Sequence, residues 1–377
     1  MLSVLLCLTM DERRALIALT LVPALVPHVV KRLLEACGSA VEIWRAADTR
    51  LRAIPGMSPA ALTALLAARP HIAVLVEETL TYARQQAIAI ITLQDAAYPS
   101  RLKTIHDPPP ALYVRGTLVP EDDLALAIVG AREATPYGVE VAERFAADLA
   151  AAGVTVVSGL ARGIDTAAHR GALRVGGRTI AVVGSGLAHR YPRDHARCAE
   201  EIAQAGAVIS EFPLSAPPRP AHFPQRNRLI SGLSLGVLIV EAGARSGALI
   251  TASCAAEQGR EVFAVPGKIT SALSEGTHAL LKDGARLVTG VGDICEELHL
   301  SFAPVRGVTL PTRAALAADA QRVLALLSDE PLHVDAIAAA SGFAPGALAS
   351  LVLQLELQSL VRQWPGQRYT KSQGSDP

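Results

Sequence analysis

The sequence carries no surplus of either charge: 35 Lys and Arg stand against 35 Asp and Glu. A global basic field is thereby excluded, so any nucleic-acid binding has to come from local clusters of arginine. Cysteine is sparse, and Cys7, Cys37, Cys198, Cys254 and Cys295 form no C-x-x-C pair. That argues against a zinc site or a disulfide framework and suits a reducing cytosol. No G-x-x-x-x-G-K-[S/T] stretch occurs, which speaks against ATP hydrolysis on a P-loop. The apolar opening MLSVLLCL lacks a basic n-region, is too short to span a bilayer and runs into Asp11-Glu12-Arg13-Arg14. It reads as no signal, and the nine residues before Met10 read as an upstream extension of the frame. Aromatics are only 4% of the chain while hydrophobic residues are 50% of its 377 positions. Such a chain buries a sizeable core, divided over two or three domains, and a cytoplasmic globular protein without cofactor or metal is expected.

The organising stretch is Ala125–Gly138, ALAIVGAREATPYG. An apolar run ends in Gly130, Arg132 follows, and Pro136 opens a segment with helical spacing at Val139, Val141, Phe145 and Leu149. A buried strand, a tight turn and a helix start place backbone N–H groups at a strand's carboxyl end, a seat for an anion with Arg132 at its mouth. The dinucleotide fingerprint is incomplete here: Gly130-Ala131-Arg132 lacks the second glycine, which speaks against a nicotinamide or flavin dehydrogenase.

From Leu124 to about Leu298 apolar runs alternate with helical stretches: Ala125–Val129, Thr155–Ser158, Thr179–Val183, Ala207–Ser210, Gly236–Val240 and Glu261–Val265. This pattern predicts an α/β domain, an extended Rossmann-like, doubly wound and mostly parallel sheet, with any ligand at the strands' carboxyl ends. Small residues fill the turns there: Gly130, Ser158, Gly159, Gly163, Ser246 and Gly247, with Thr251 on the helix that follows. One face with several possible phosphate seats is the mark of a polymer site. Charge agrees. Between Asp165 and Asp194 there is no acid, but Arg170, Arg174, Arg178, Arg190 and Arg193 occur; between Glu211 and Glu241 there is again none, beside Arg219, Arg226 and Arg228. Phe223, between His222 and Pro224 in what reads as a polar loop, is a candidate stacking platform for a nucleobase. With no acid near in sequence, Arg226 and Arg228 around Asn227 read as DNA contacts and not as an ion-pair face.

The ends carry further domains. Residues 10–70 read as short helices, and Leu51–Ser58 before the helix opened by Ser58-Pro59 resembles a helix-hairpin-helix, giving a small helical SAM/helix-hairpin-helix-like domain. The earlier turn Val22–Pro27 has no glycine, which makes phosphate approach there doubtful. Residues 71–300 form the main domain, entered through Ile88–Leu93, the triple proline after Asp107 and the strand Ala111–Gly116. Residues 301–312 read as a linker. Helices at about 314–328, 334–340 and 345–359 and a hairpin-like end give a winged-helix-like domain over 313–371. Its third helix, from Pro345 to Gln358, has no basic residue, which favours a protein-contact or regulatory role over groove reading.

Taken together, Gly130-Ala131-Arg132 with Tyr137-Gly138, Ser158–Asp165 with His169, Phe223–Arg228, Ser246–Thr251 and Val265-Pro266-Gly267 resemble the DNA-processing protein A (Smf) family. The resemblance covers about 90–298 and implies a single-stranded DNA-binding, non-catalytic protein. It further implies a homodimer that receives incoming DNA in natural transformation and hands it to the RecA recombinase. Matched by motif, the DNA-binding residues are Gly130, Arg132, Ser158, Gly159, Gly163, His222, Phe223, Arg226, Asn227, Arg228, Ser246, Gly247 and Thr251. Asp165, Glu241 and His169 match as well and are expected to brace the turns, since carboxylates repel phosphate. Two alternatives stay open: a phosphoribohydrolase-like nucleotide enzyme using Glu241 and Arg228, and a scaffold protein.

Overall fold

The computed structural model describes residues 10–189, 195–300, 318–357 and 360–371. The expected linker 301–312 and the basic pair Arg190 and Arg193 lie outside them. By its contacts the chain divides into two compact units, one of residues 1–133 and 142–301 and one of 134–141 and 302–377.

The first unit is built on nine strands: β1 (Ile88–Thr92), β2 (Ala111–Gly116), β3 (Ala125–Val129), β4 (Thr155–Ser158), β5 (Thr179–Val182), β6 (Ala207–Ser210), β7 (Gly236–Ile239), β8 (Glu261–Ala264) and β9 (Arg286–Leu287). Their order is β1-β2-β6-β5-β4-β3-β7-β8-β9. β3 to β9 run parallel, while β2 joins β6 and β1 joins β2 antiparallel. The fold is thus the Rossmann-like, mostly parallel sheet expected, extended at one edge by an antiparallel pair. The expected strands are there; β9 is an addition, two residues too short to leave a pattern.

Every residue of β3, β4, β5, β6 and β7 is buried. Helices cover both faces of such a sheet, so its strands read as continuous apolar runs. Alternation still sorts the side chains. Tyr113, Ala181 and Val208 join one core cluster, while their chain neighbours Leu112, Val114, Ile180, Val182, Ala207 and Ile209 join another on the opposite face. The winding starts at β3, moves outward through β4, β5 and β6, then returns by the helix His222–Gly232 to β7 on the other side of β3. The direction reverses between β3 and β7, and ligands of such sheets bind outside the carboxyl ends at that point.

The N-terminal helices Glu12–Thr20, Pro27–Cys37, Ala40–Arg45, Asp48–Arg52, Pro59–Ala68 and Ile72–Gln85 begin where local chemistry allows. Asp11 accepts from Arg14 N–H, Ser39 from Glu42 N–H and Ser58 from Ala61 N–H, satisfying first-turn donors. Their apolar faces share one cluster with Ala111, Tyr113, Ala181 and Val183 of the sheet. The Thr20 hydroxyl and the buried Tyr113 hydroxyl, 2.7 Å apart, tie the first helix down.

The second unit is a winged helix. Helices Ala318–Leu326, Val334–Ser341 and Pro345–Leu357 enclose a core of Val323, Ile337, Leu348, Val352 and Leu355. A three-stranded sheet closes it: β10 (Leu332–His333), β11 (Val361–Trp364) and β12 (Arg368–Lys371), in the order β10-β12-β11. The hairpin β11–β12 is the expected wing, and β10 again is a two-residue strand without sequence signature.

Candidate nucleic-acid interface

The turns after β3, β4 and β7 are stitched to one another. Ala131 N–H donates to the Glu241 carbonyl at 2.7 Å, and Ile164 N–H donates to the Ala131 carbonyl at 3.1 Å. Such backbone proximity leaves no room for side chains. A Cβ on Gly130 would lie 2.6 Å from Ile164 Cγ1 and 2.8 Å from the Glu241 oxygen. Gly163 has φ +75° and faces the carbonyls of Ala131 and Arg132, where a Cβ would collide. These two glycines serve close packing of the turns. Gly247 is different: it is exposed, and nothing lies within 4 Å of a Cβ placed there. Its helix, Gly247–Glu257, is capped by Ser246 Oγ, which accepts from Ala248 N–H at 3.3 Å.

Several of the sequence-derived residues form a floor beneath this edge. The Ser158 hydroxyl donates to the Ile128 carbonyl at 2.6 Å, and Thr251 is 1% exposed. Arg226 is 4% exposed and donates to the carbonyls of Gly159, at 2.8 Å, and Val182. Burial lowers its pKa to about 10, so it stays protonated at neutral pH. Asp165 accepts from the N–H groups of Gly159 (3.2 Å) and Ala161 (3.3 Å), which makes it a brace of the β4 turn. Burial raises its pKa, opposed by the Arg226 charge and those two N–H groups. Asn227 accepts from Arg226 Nε and donates through Nδ2 to the Gly247 carbonyl at 3.1 Å.

Arg228 corrects the sequence reading. It is held by Glu211 through Nη2 and lies 3.2 Å from Asp107 through Nε, with both acids supplied by other loops. Absence of acids nearby in sequence said nothing about acids nearby in space. His169 is fully buried. The Thr179 hydroxyl donates to the Val156 carbonyl at 2.8 Å, so it accepts from His169 Nδ1–H at 2.7 Å. Burial holds this imidazole neutral, with its pKa pulled down to about 3.

Above the floor is a rim. The exposed Arg132 guanidinium stands 5.5 Å from the centre of the Phe223 ring, a cation–π contact. An edge of that ring packs at Gly184, where a Cβ would sit 3.0 Å from Cδ1. Phe223 is not in a loop: the helix His222–Gly232 begins one residue before it. Pro224 falls in the first turn, where a missing N–H costs no intrahelical bond, so the proline that suggested a loop is compatible with a helix start. His222 Nδ1 donates to the Gly184 carbonyl at 3.2 Å, and its ring stacks on Phe212 at 4.1 Å. Arg162, Arg219, Arg245 and Lys268 are exposed on the turns of the same edge. Arg178, counted as basic in the sequence, pairs with Asp122 at 2.9 Å instead. The partners that sequence reasoning missed, Asp107 and Glu211 for Arg228, lie outside its segment of the chain and left no signal in its spacing.

Among the described residues, no group of three or more His, Cys, Asp and Glu is placed to hold a metal ion, and no single helix is long and apolar enough to cross a membrane.

The chain is similar in sequence and fold to known proteins. Residues 89–299 match the DNA recombination-mediator protein A family, and residues 309–367 match the DprA winged helix domain. Protein Smf of Escherichia coli strain K12 is 44% identical over 297 residues, 77% of this chain and 79% of that protein. The crystal structure of DNA processing protein A from Streptococcus pneumoniae superposes with a TM-score of 0.64 at 33% identity, over 77% of this chain and 99% of that one. A Helicobacter pylori DNA processing protein A structure, described for its single-stranded DNA binding mode, gives a TM-score of 0.51 at 31% identity over 57% and 97%. With more than half of its length matched, the chain belongs to the DNA recombination-mediator protein A family, the DNA-processing proteins also named Smf.

Proposed function

We propose that this protein binds single-stranded DNA along the carboxyl edge of its main sheet, without catalysis, protecting incoming DNA and loading RecA recombinase onto it during transformation or recombination. The observation that carries the reading is Arg132 over Phe223 on the rim. A guanidinium offers donors to a phosphate, and an adjacent aromatic ring offers a face to any base, which grips a strand without reading it. Arg162, Arg219, Arg245 and Lys268 extend the positive rim, and Gly247 leaves a helix start open to a phosphate. Arg226, Asn227 and Arg228 support the site from below. An enzyme using Arg228 on a nucleotide has less support, because Glu211 and Asp107 already engage that guanidinium.

The helix Pro345–Leu357 presents no basic residue, and Leu353 on it is 57% exposed. This favours a protein-contact or regulatory role for the winged helix. Homodimerisation and RecA contact belong to the same proposal and are read by light scattering and by RecA nucleation on oligonucleotides with and without the protein. The primary test is equilibrium binding of labelled single- and double-stranded oligonucleotides across a salt series. Single strands are expected to bind more tightly, with affinity rising with length and log K falling by about 0.7 per phosphate contacted for each log unit of salt. Binding that ignores both length and salt would sink the reading.

A further inference from the structure

The turn Val22–Pro27, left without a role by the sequence, forms one wall of a groove of about 790 Å³. This volume lies in the range of sites that enclose small ligands. The helix Ile72–Gln85 supplies a second wall, and the segment from Phe212 to Arg219, with His222, a third. Val26, Leu75 and Tyr82 line it and are left 37%, 42% and 39% exposed. These side chains belong to a helical layer whose other large apolar groups are mostly buried. The groove is continuous with the rim, since His222 lines it and Phe223 is the next residue in the chain.

We infer that this groove seats one or two unstacked nucleotides of the strand that passes Arg132 and Phe223, with Tyr82 as a second stacking platform. The inference rests on the single-strand reading above. An aromatic ring on one wall and the exposed Arg219 on another meet the two needs of a nucleotide, a face for the base and a cation for its phosphate. Two acids also line the groove, Glu78 and Glu211. Glu211 is held by Arg228. Glu78, one helical turn before Tyr82, repels phosphate from that wall, so the bases turn toward Tyr82 and the backbone runs along Arg219. Stacking on Tyr82 accepts the face of any base, so this contribution to the grip is independent of sequence.

The test is fluorescence anisotropy of labelled oligo(dT) and oligo(dC) of graded length on the full chain and its Tyr82→Ala, Tyr82→Phe, Val26→Trp and Arg132→Ala variants. Tyr82→Ala is expected to weaken the long oligonucleotides about tenfold, equally for both bases, and the shortest ones not at all. Tyr82→Phe restores binding, and Val26→Trp, which fills the groove without removing a ring, reproduces the length-dependent loss. If both groove variants bind every length as wild type does while Arg132→Ala is weakened, the inference is overturned and the DNA reading stands. If wild type itself shows no length dependence, the DNA reading falls and the groove inference falls with it.

Discussion

Arg132 and Arg228 occupy the same edge of the same sheet, yet their surroundings are opposite. Arg132 is exposed and faces an aromatic ring; Arg228 is 8% exposed between two carboxylates. Two of the quoted motifs therefore hold two kinds of arginine, one exposed beside a ring and one that ties the loops beneath that edge together. Arginines that the sequence groups as one kind divide, once folded, into an exposed rim and a buried floor.

The contrast is broken most sharply at the floor. Arg228→Ala strands Glu211, and with it Asp107, so the protein is expected to lose about 3–5 kcal/mol of stability; urea unfolding reads this, and a loss below about 1 kcal/mol would remove Arg228 from the floor. Gly163→Ala forces a side chain into left-handed backbone against two carbonyls and is expected to cost about 1–3 kcal/mol or more in the same measurement. His169 gives a pH signature. Its folded pKa, about 3, lies below the ordinary value of 6.5, so the unfolded chain binds the proton first and stability falls as pH drops between those values. Roughly 1 kcal/mol is lost from about pH 7 to about pH 5.5, and His169→Asn, which keeps a donor toward Thr179, should flatten that part of the curve. The rim behaves in reverse. Arg132→Ala should change stability by no more than about 0.5 kcal/mol while lowering the salt slope of single-strand binding by about 0.7. A destabilised Arg132→Ala, or one that binds DNA like wild type, would erase the distinction between rim and floor.

Much of the fold was legible. The runs from Ala125–Val129 to Gly236–Val240 form fully buried strands, and full burial is what makes a parallel strand visible as an unbroken apolar run. The two-residue strands Arg286–Leu287 and Leu332–His333 were not legible, because two residues define no period. Phe223 was picked out, but as a loop residue: Pro224 reads as a breaker until it is placed in a helix's first turn. Ser158 and Thr251 stand among the DNA-binding residues matched by motif, whereas the fold turns the Ser158 hydroxyl onto the Ile128 carbonyl and buries Thr251.

The sequence by itself determined the alternation of strand and helix, the position of the glycine turns at the carboxyl ends, and the family. Those properties are local, since hydrophobic period and turn chemistry act over a few residues. Only the tertiary structure decided which arginines face solvent, which acids meet them, and that the Val22–Pro27 turn lines a groove beside Arg219. Burial and charge pairing depend on distances between segments far apart in the chain, and no spacing within one segment encodes them.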